Sequence, residues 1–460
     1  MNFNQSQKYQ KSDYLVIIRG DNGKSAVYHS LFNNPKFLDE SVTEFLGLFS
    51  SPLSAYDLKE ICEGEVIDVM KELSGLYFIV PVNHDDERVI LKEKQEPFLK
   101  DILKGVRLSR LELAISDACN LGCLHCMHFK NNELMQRTGK KLNMSIETAK
   151  KGIDSFVDVV KKAENNRVRL HFGNGEPLLN WKTIQFCLEY CNSFDEIDFT
   201  FAVNTNLTLL TKEIAEVLKK YNVKISTSLD GLQKANDLIR VYRSGKGTFD
   251  TIVEKFHLLK EIDYPLDGFS VTVISENYKY ITNEILDFAK EMGIKDVSMD
   301  FDLVDTTDIP VAQSVDKIIE MRRYATEIGL NFYGTWETPY RVMMLNSWLK
   351  SPYAFCPAME GTTIEFGVDD SLKVCGHTNT KIADHISEFF SKNSLYYNLI
   401  SSRLTGNNSI CVGCSIEGAC AGQCHVTFES SKRNPKLMDN MCNFMKLTTK
   451  RLLEEDIALH

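Results

Sequence analysis

Leu111-Glu112-Leu113-Ala114-Ile115-Ser116-Asp117-Ala118-Cys119-Asn120-Leu121-Gly122-Cys123-Leu124-His125-Cys126 is the stretch on which the reading of this chain turns. The apolar run at 111–115 has the look of a buried strand, and it leads straight into three cysteines spaced C-x3-C-x2-C. Three thiolates hold three irons of a cubane [4Fe–4S] cluster, and no fourth cysteine follows at similar spacing. Such clusters are normally held by four thiolates, so a vacancy leaves one iron for a ligand that is not protein. A zinc knuckle short of its fourth ligand, or unrelated thiols, would show the same spacing.

The surrounding sequence limits the alternatives. The chain has 460 residues, of which 43% are apolar and 25% charged, an ordinary globular composition long enough for several domains. A net charge of −10 argues against a general nucleic-acid binder, because no basic surplus is present to neutralise phosphates. The first residues, Met1-Asn2-Phe3-Asn4-Gln5-Ser6-Gln7-Lys8, are polar and carry no signal-peptide core. No run approaches the roughly 18 apolar residues of a membrane span, so no membrane partner and a cytoplasmic location are expected. In that compartment thirteen cysteines point to metal or redox chemistry rather than structural disulfides. Cys187 and Cys191, four apart on an amphipathic helical pattern, read as core packing.

Strand-like runs at 111–116, 167–172, 198–204, 224–228, 268–274 and 296–301 alternate with helical patterns such as 146–162, 212–221 and 251–261. Six βα units in succession predict a parallel sheet with helices outside it. Ligands bind such sheets at the carboxyl ends of the strands, where the loop of Cys119 falls. Ahead of this core, 14–19 and 25–29 flank the hairpin signal Asp21-Asn22-Gly23. Helical patterns at 39–49, 55–60 and 66–73 follow, then a strand at 75–81. The charged run at 85–94 reads as a solvated linker.

The C-x3-C-x2-C loop resembles the signature of the radical SAM superfamily, whose free iron binds the amino and carboxylate groups of S-adenosylmethionine. Further elements of that family follow in order at successive strand ends. His125 stands where the family has an aromatic ring near the adenine. Asn174-Gly175-Glu176-Pro177 resembles Gly-Gly-Glu-Pro, with Asn174 replacing the first glycine; the resemblance implies that its backbone and glutamate face the methionine amino group. Asn204-Thr205-Asn206-Leu207 is similar to the ribose-side Thr-Asn-Gly element; Ser228, Arg240 and the run Gly245-Lys246-Gly247-Thr248-Phe249 complete the set. The implied chemistry is reductive cleavage of S-adenosylmethionine and hydrogen abstraction by a 5′-deoxyadenosyl radical.

The remaining cysteines sharpen the resemblance. Cys356, Cys375, the run Cys411-x2-Cys414-x5-Cys420-x3-Cys424, and Cys442 resemble the SPASM domain, which binds two auxiliary [4Fe–4S] clusters. By family correspondence Cys411, Cys414, Cys420 and Cys442 hold one cluster completely, and Cys356, Cys375 and Cys424 hold the other one ligand short. Thr362 stands where some relatives place an additional cysteine, and Asp370 where a turn glycine is expected. Zinc is the alternative occupant of a four-cysteine site.

The resemblance implies a partial (β/α)6 TIM-like barrel at 96–305, an N-terminal winged-helix-like α+β domain at 1–95, a connecting segment at 306–355 and the SPASM domain at 356–460. Together these parts resemble maturases of ribosomally made peptides, with a precursor leader bound at the N-terminal domain and a thioether or carbon–carbon crosslink as product. Cofactors would be S-adenosylmethionine and three [4Fe–4S] clusters, and the partner an external reductant such as flavodoxin or ferredoxin. A sulfatase-maturating formylglycine-forming enzyme and a noncatalytic iron–sulfur electron carrier are the competing readings. No general acid or base is assigned, although Asp300, Asp302 and Glu337 lie near expected barrel ends.

Overall fold

The computed structural model describes residues 3–62, 65–126, 142–302, 309–345, 353–378, 380–432 and 435–460. The ends of the barrel at 303–305 and parts of the connecting segment, 306–308 and 346–352, fall outside the described residues.

The N-terminal unit is built on a three-stranded antiparallel meander, β2 (Leu15–Arg19), β3 (Lys24–His29) and β4 (Asn33–Asp39). The β2–β3 turn is where Asp21-Asn22-Gly23 places it, with Gly23 at φ +75°. Alternation along β3 divides its residues between two cores. Val27 faces the small core of the N-terminal unit, with Leu46, Phe49 and Leu58, while Ala26 and Tyr28 face the main core. Helices α1 (Glu40–Leu48), α2 (Ala55–Lys59) and α3 (Val66–Gly75) follow as expected. The strand expected at 75–81 is shorter: β5 (Ile79–Pro81) pairs antiparallel with β1 (Tyr9–Lys11) rather than with the meander.

The run expected to be a solvated linker is instead the first half of α4 (Glu87–Lys104). Its charged residues coat one side, while Leu91, Gln95, Phe98 and Ile102 form a buried stripe at helical spacing. The helix ties the N-terminal unit to the cysteine-rich tail. Glu87 accepts a bond from Ser12 Oγ at 2.8 Å, Arg88 grips Glu417 bidentately at 2.7 and 2.6 Å, and Gln95 donates to the Thr405 carbonyl at 2.8 Å. Because Arg88 and Glu417 are distant in sequence, local composition could not reveal that these charges are paired.

The barrel strands are β6 (Arg110–Ala114), β7 (Arg167–Gly173), β8 (Asp198–Asn204), β9 (Lys224–Ser226), β10 (Gly268–Val273) and β11 (Asp296–Phe301). Neighbouring strands pair parallel throughout, with β9 joined to β10 through the Ser228–Ser270 bridge. Two further strands extend the arc at its edges. β12 (Asn331–Tyr333) pairs parallel with β11, so the expected connecting segment continues the βα pattern. β13 (Thr363–Phe366), from the tail, pairs parallel with β6. A short hairpin then carries the chain to β14 (Leu372–Lys373) and directly on to Cys375. Asp370 in that turn adopts φ +64°, the left-handed conformation for which a glycine was expected.

The last helix, Pro435–Leu459, carries Cys442 and packs back on the helix Val311–Ile328 and on β2 and β3. One continuous hydrophobic core runs through barrel, tail and one face of the N-terminal meander. Among the described residues, no helix is long and apolar enough to cross a membrane.

Candidate functional site

The loop of Cys119, Cys123 and Cys126 leaves the carboxyl end of β6 and is fastened by its own backbone. Gly122 N–H donates to the Val241 carbonyl at 2.8 Å and Leu124 N–H to the Ile239 carbonyl at 2.9 Å. Arg243 reaches the Cys119 carbonyl at 3.2 Å, and Asn120 donates to Thr208 at 2.8 Å. The loop that carries the three thiols is therefore held by the segment after β8 and by residues 239–243 at the end of the helix Gln233–Ile239. Burial pushes the Cys119 thiol up to about 11 and the Cys123 thiol up to about 12. A metal that takes the thiolate replaces that proton.

Beside this loop, Gly175 sits at φ +40°, and a Cβ there would lie 2.2 Å from the Ala118 carbonyl oxygen and 2.5 Å from that of Ser116. Only glycine fits. Asn174, in place of the family's first glycine, takes φ +64°, a conformation asparagine tolerates better than other side chains. Glu176 is placed differently from the expectation that it faces a ligand. It is fully buried, accepting from Thr205 Oγ1 at 2.6 Å, Asn206 N–H at 2.7 Å and Leu178 N–H at 3.0 Å, and neither it nor buried Pro177 lines the cavity. Burial raises its pKa against those three donors. Its carboxylate is thus a strut that fixes Asn206. Asn206 in turn points its amide at Cys119 Sγ, 3.7 Å away.

Arg240 is buried and donates through Nε to Asp230 at 2.8 Å, while Nη1 lies 3.9 Å from Cys123 Sγ and Nη2 3.4 Å from His125 Nε2. Asp230, which the sequence reading missed, also accepts the Thr272 N–H and so fixes the guanidinium to β10. The glycine-rich run serves this arrangement from behind. Thr248 donates to the Arg240 carbonyl, and Asp237 caps the N–H groups of Thr248 and Phe249, where a Cβ on Gly247 would lie 2.1 Å from the Asp237 carboxylate.

A single cavity of about 620 Å³ opens over these groups. Cys119, Cys123, Cys126, His125, Gly175, Asn206, Ser228 and Arg240 line it. Cys356, Cys375 and Cys424 line the same cavity, as do Glu112, His377 and Thr363. Cys411, Cys414, Cys420 and Cys442 lie elsewhere. Mutual electrostatic influence sorts the ten thiols in the same way. Cys119 and Cys123 feel Cys126, Cys356 and Cys375 feel Cys424, and Cys420 feels Cys411, Cys414 and Cys442. Of the acidic residues considered, Asp302 lines the cavity. Asp300 is committed to Thr335, and Glu337 faces Arg322 at 3.8 Å. The Thr362 hydroxyl turns away to the Pro357 carbonyl. Cys187 and Cys191 are buried in the core, as expected.

The donor set fits iron–sulfur clusters. Thiols around a cubane are spread over separate irons, and two sets of three and one of four match that demand.

Strand ends, cysteine loop and glycine cradle are arranged as a radical SAM domain requires. Residues 113–283 match the Radical SAM superfamily, and that region is this chain's radical SAM domain. Along nearly its whole length the chain is 25% identical to the radical SAM cyclopropyl synthase TigE of Paramaledivibacter caminithermalis, covering 98% of this chain and 97% of that one. It is 27% identical to a cysteine-type anaerobic sulfatase-maturating enzyme of Clostridium novyi over 41% of this chain and 49% of the relative. The fold is shared with native anSMEcpe, solved with bound AdoMet and the Cp18Cys peptide (TM-score 0.58, 16% identity, 76% of this chain and 99% of that one). It is shared too with Streptococcus suis SuiB bound to S-adenosylmethionine (TM-score 0.50, 18% identity, 92% and 96%).

Proposed function

We propose that this chain is a peptide maturase that closes a carbon–carbon bond in a ribosomally made precursor, with three [4Fe–4S] clusters and S-adenosylmethionine. The observation that carries the reading is that the Cys119 set and the Cys356, Cys375 and Cys424 set line the same cavity. A substrate radical formed at the first set would share its cavity with an electron acceptor held at the second. When bound at the first set, S-adenosylmethionine and its reduced cluster supply hydrogen-atom abstraction. The residues of this chain orient that chemistry: Gly175 lets backbone approach the ligand, Asn206 and Ser228 line its side, and the Arg240–Asp230 pair fixes the cationic wall.

The full-length likeness to a cyclopropyl synthase favours a carbon–carbon bond over the thioether. The fold shared with SuiB, which is solved with precursor peptide SuiA, supports a peptide substrate. The N-terminal unit would take the leader. Within the described sheet β2 pairs only with β3 and forms an edge, beside a groove lined by Val16, Ile17 and Ile18 together with Lys446 and Lys450. An extended peptide adding to that edge gains main-chain hydrogen bonds. Flavodoxin or ferredoxin would reduce the clusters.

Formylglycine formation is the second reading, favoured by the sulfatase-maturating relative. Anaerobic reaction with the precursor separates the two. Loss of two hydrogens with 5′-deoxyadenosine release is expected of bond closure, and a new aldehyde reactive with hydrazide of the other. Release of no 5′-deoxyadenosine by the reduced, iron-loaded enzyme would overturn both.

A further inference from the structure

The last two cysteines of the tail run, Cys420 and Cys424, belong to different sets and are separated only by Ala421-Gly422-Gln423. All three residues of that link have positive φ, +46°, +80° and +67°. Two of them carry side chains that disfavour this conformation, so the surroundings must enforce it. Arg403 does so: its Nη2 donates to the carbonyls of Gly422 at 2.5 Å and Gln423 at 2.8 Å. The guanidinium is stacked 4.7 Å from the Phe428 ring centroid, and the residue is 3% exposed.

The rest of this cation has no visible use in the fold. Among the described residues, Nε and Nη1 of Arg403 have no hydrogen-bond partner. Among the described residues no carboxylate is paired with it, whereas Cys411 and Cys420 of one set and Cys356 and Cys424 of the other all act on it electrostatically. A buried cation without an anion is strongly unfavourable, and burial alone pulls its pKa below the ordinary arginine range. Clusters ligated by thiolates carry the negative charge this position lacks. Gln423 extends the same logic, its side-chain amide donating to Cys442 Sγ at 3.1 Å.

We propose that Arg403 is the cation shared by the two tail clusters, a positioning residue that holds the link between their ligands and raises both reduction potentials. The inference rests on the three-cluster reading. Positive charge and hydrogen bonds near sulfur stabilise the reduced cluster, so removing them moves the couple to lower potential. With both tail couples raised by one group, the tail accepts an electron more readily than it would without that group, which suits uptake from a substrate radical.

The test is a redox titration of the full-length, reconstituted enzyme followed by electron paramagnetic resonance, with iron and sulfide counted in the same samples. The SAM-site cluster, identified by its response to added S-adenosylmethionine, is the internal reference. About twelve irons in the unaltered protein establishes the three clusters; about four, with zinc in the tail, removes that reading before Arg403 is tested. Arg403→Gln is expected to keep its iron and lower both tail couples by at least a tenfold change in reduction constant, about 59 mV for one electron, leaving the SAM-site couple in place. Unmoved tail couples at full iron content would overturn the proposal. If Arg403→Gln loses tail iron, Arg403→Lys decides. Restored iron with tail couples near those of the unaltered protein supports a charge role; iron lost again, or restored with couples lowered tenfold, reduces Arg403 to a strut for the 421–423 link.

Discussion

At the scale of single residues, the site is governed by where no atom fits and where a buried charge is paired. Gly175 is the sharpest case, because a Cβ would enter two backbone carbonyls rather than a movable side chain. Gly175→Ala must shift the Cys119 loop or the turn itself, at a cost of about 1–3 kcal/mol. The expected result is a fall of about tenfold or more in 5′-deoxyadenosine release at unchanged overall fold, measured by single-turnover assay beside a thermal melt. Wild-type release from that variant would show that the cradle does not govern the site. Glu176 teaches a related lesson. Its position in a motif was legible, but its partners Thr205 and Asn206 come from the next strand end, and only the fold shows the carboxylate committed to them.

At the scale of elements, α4 joins what the sequence presents as separate. Its first turn places Glu87 against His29 and Ser12 in a buried cluster. His29 Nδ1 accepts the N–H groups of Leu31 and Phe32, so its proton sits on Nε2, toward Ser12 and Glu87. Burial lowers the His29 pKa, opposed by Glu87. Burial opposes ionisation of Glu87, but bonds from His29 and Ser12 outweigh it and hold the carboxyl below its ordinary range. Both shifts have the same sign in linkage. Below the ordinary histidine value of about 6.5 the unfolded chain takes up a proton that folded His29 refuses, and at lower pH it takes up one that folded Glu87 refuses. Stability of the N-terminal unit is therefore expected to fall as pH drops from about 7.5 to about 5.5. Hydrogen exchange in β1, β3 and β5 is the readout, and protection equal at both values would exclude this cluster as the acid-sensitive joint.

At the scale of the whole molecule, the two triads facing one cavity assign different tasks to different cysteines. Replacing Cys356, Cys375 and Cys424 together by Ala is expected to remove about four irons while leaving cleavage of S-adenosylmethionine intact and abolishing the modified peptide. Iron counting and mass spectrometry of the precursor check it, and full product formation without that iron would sink the acceptor role. The sequence by itself determined the parallel βα core and the hairpin at Asp21-Asn22-Gly23, because periodicity and turn chemistry are local properties. Tertiary structure alone decided that β13 returns from the tail to pair with β6, that the charged run at 85–94 enters a half-buried helix, and that Asp230 holds Arg240 beside the thiol of Cys123. The physical reason is range. A buried charge or a strand edge is satisfied by whatever partner the fold delivers, and no local pattern names a partner hundreds of residues away.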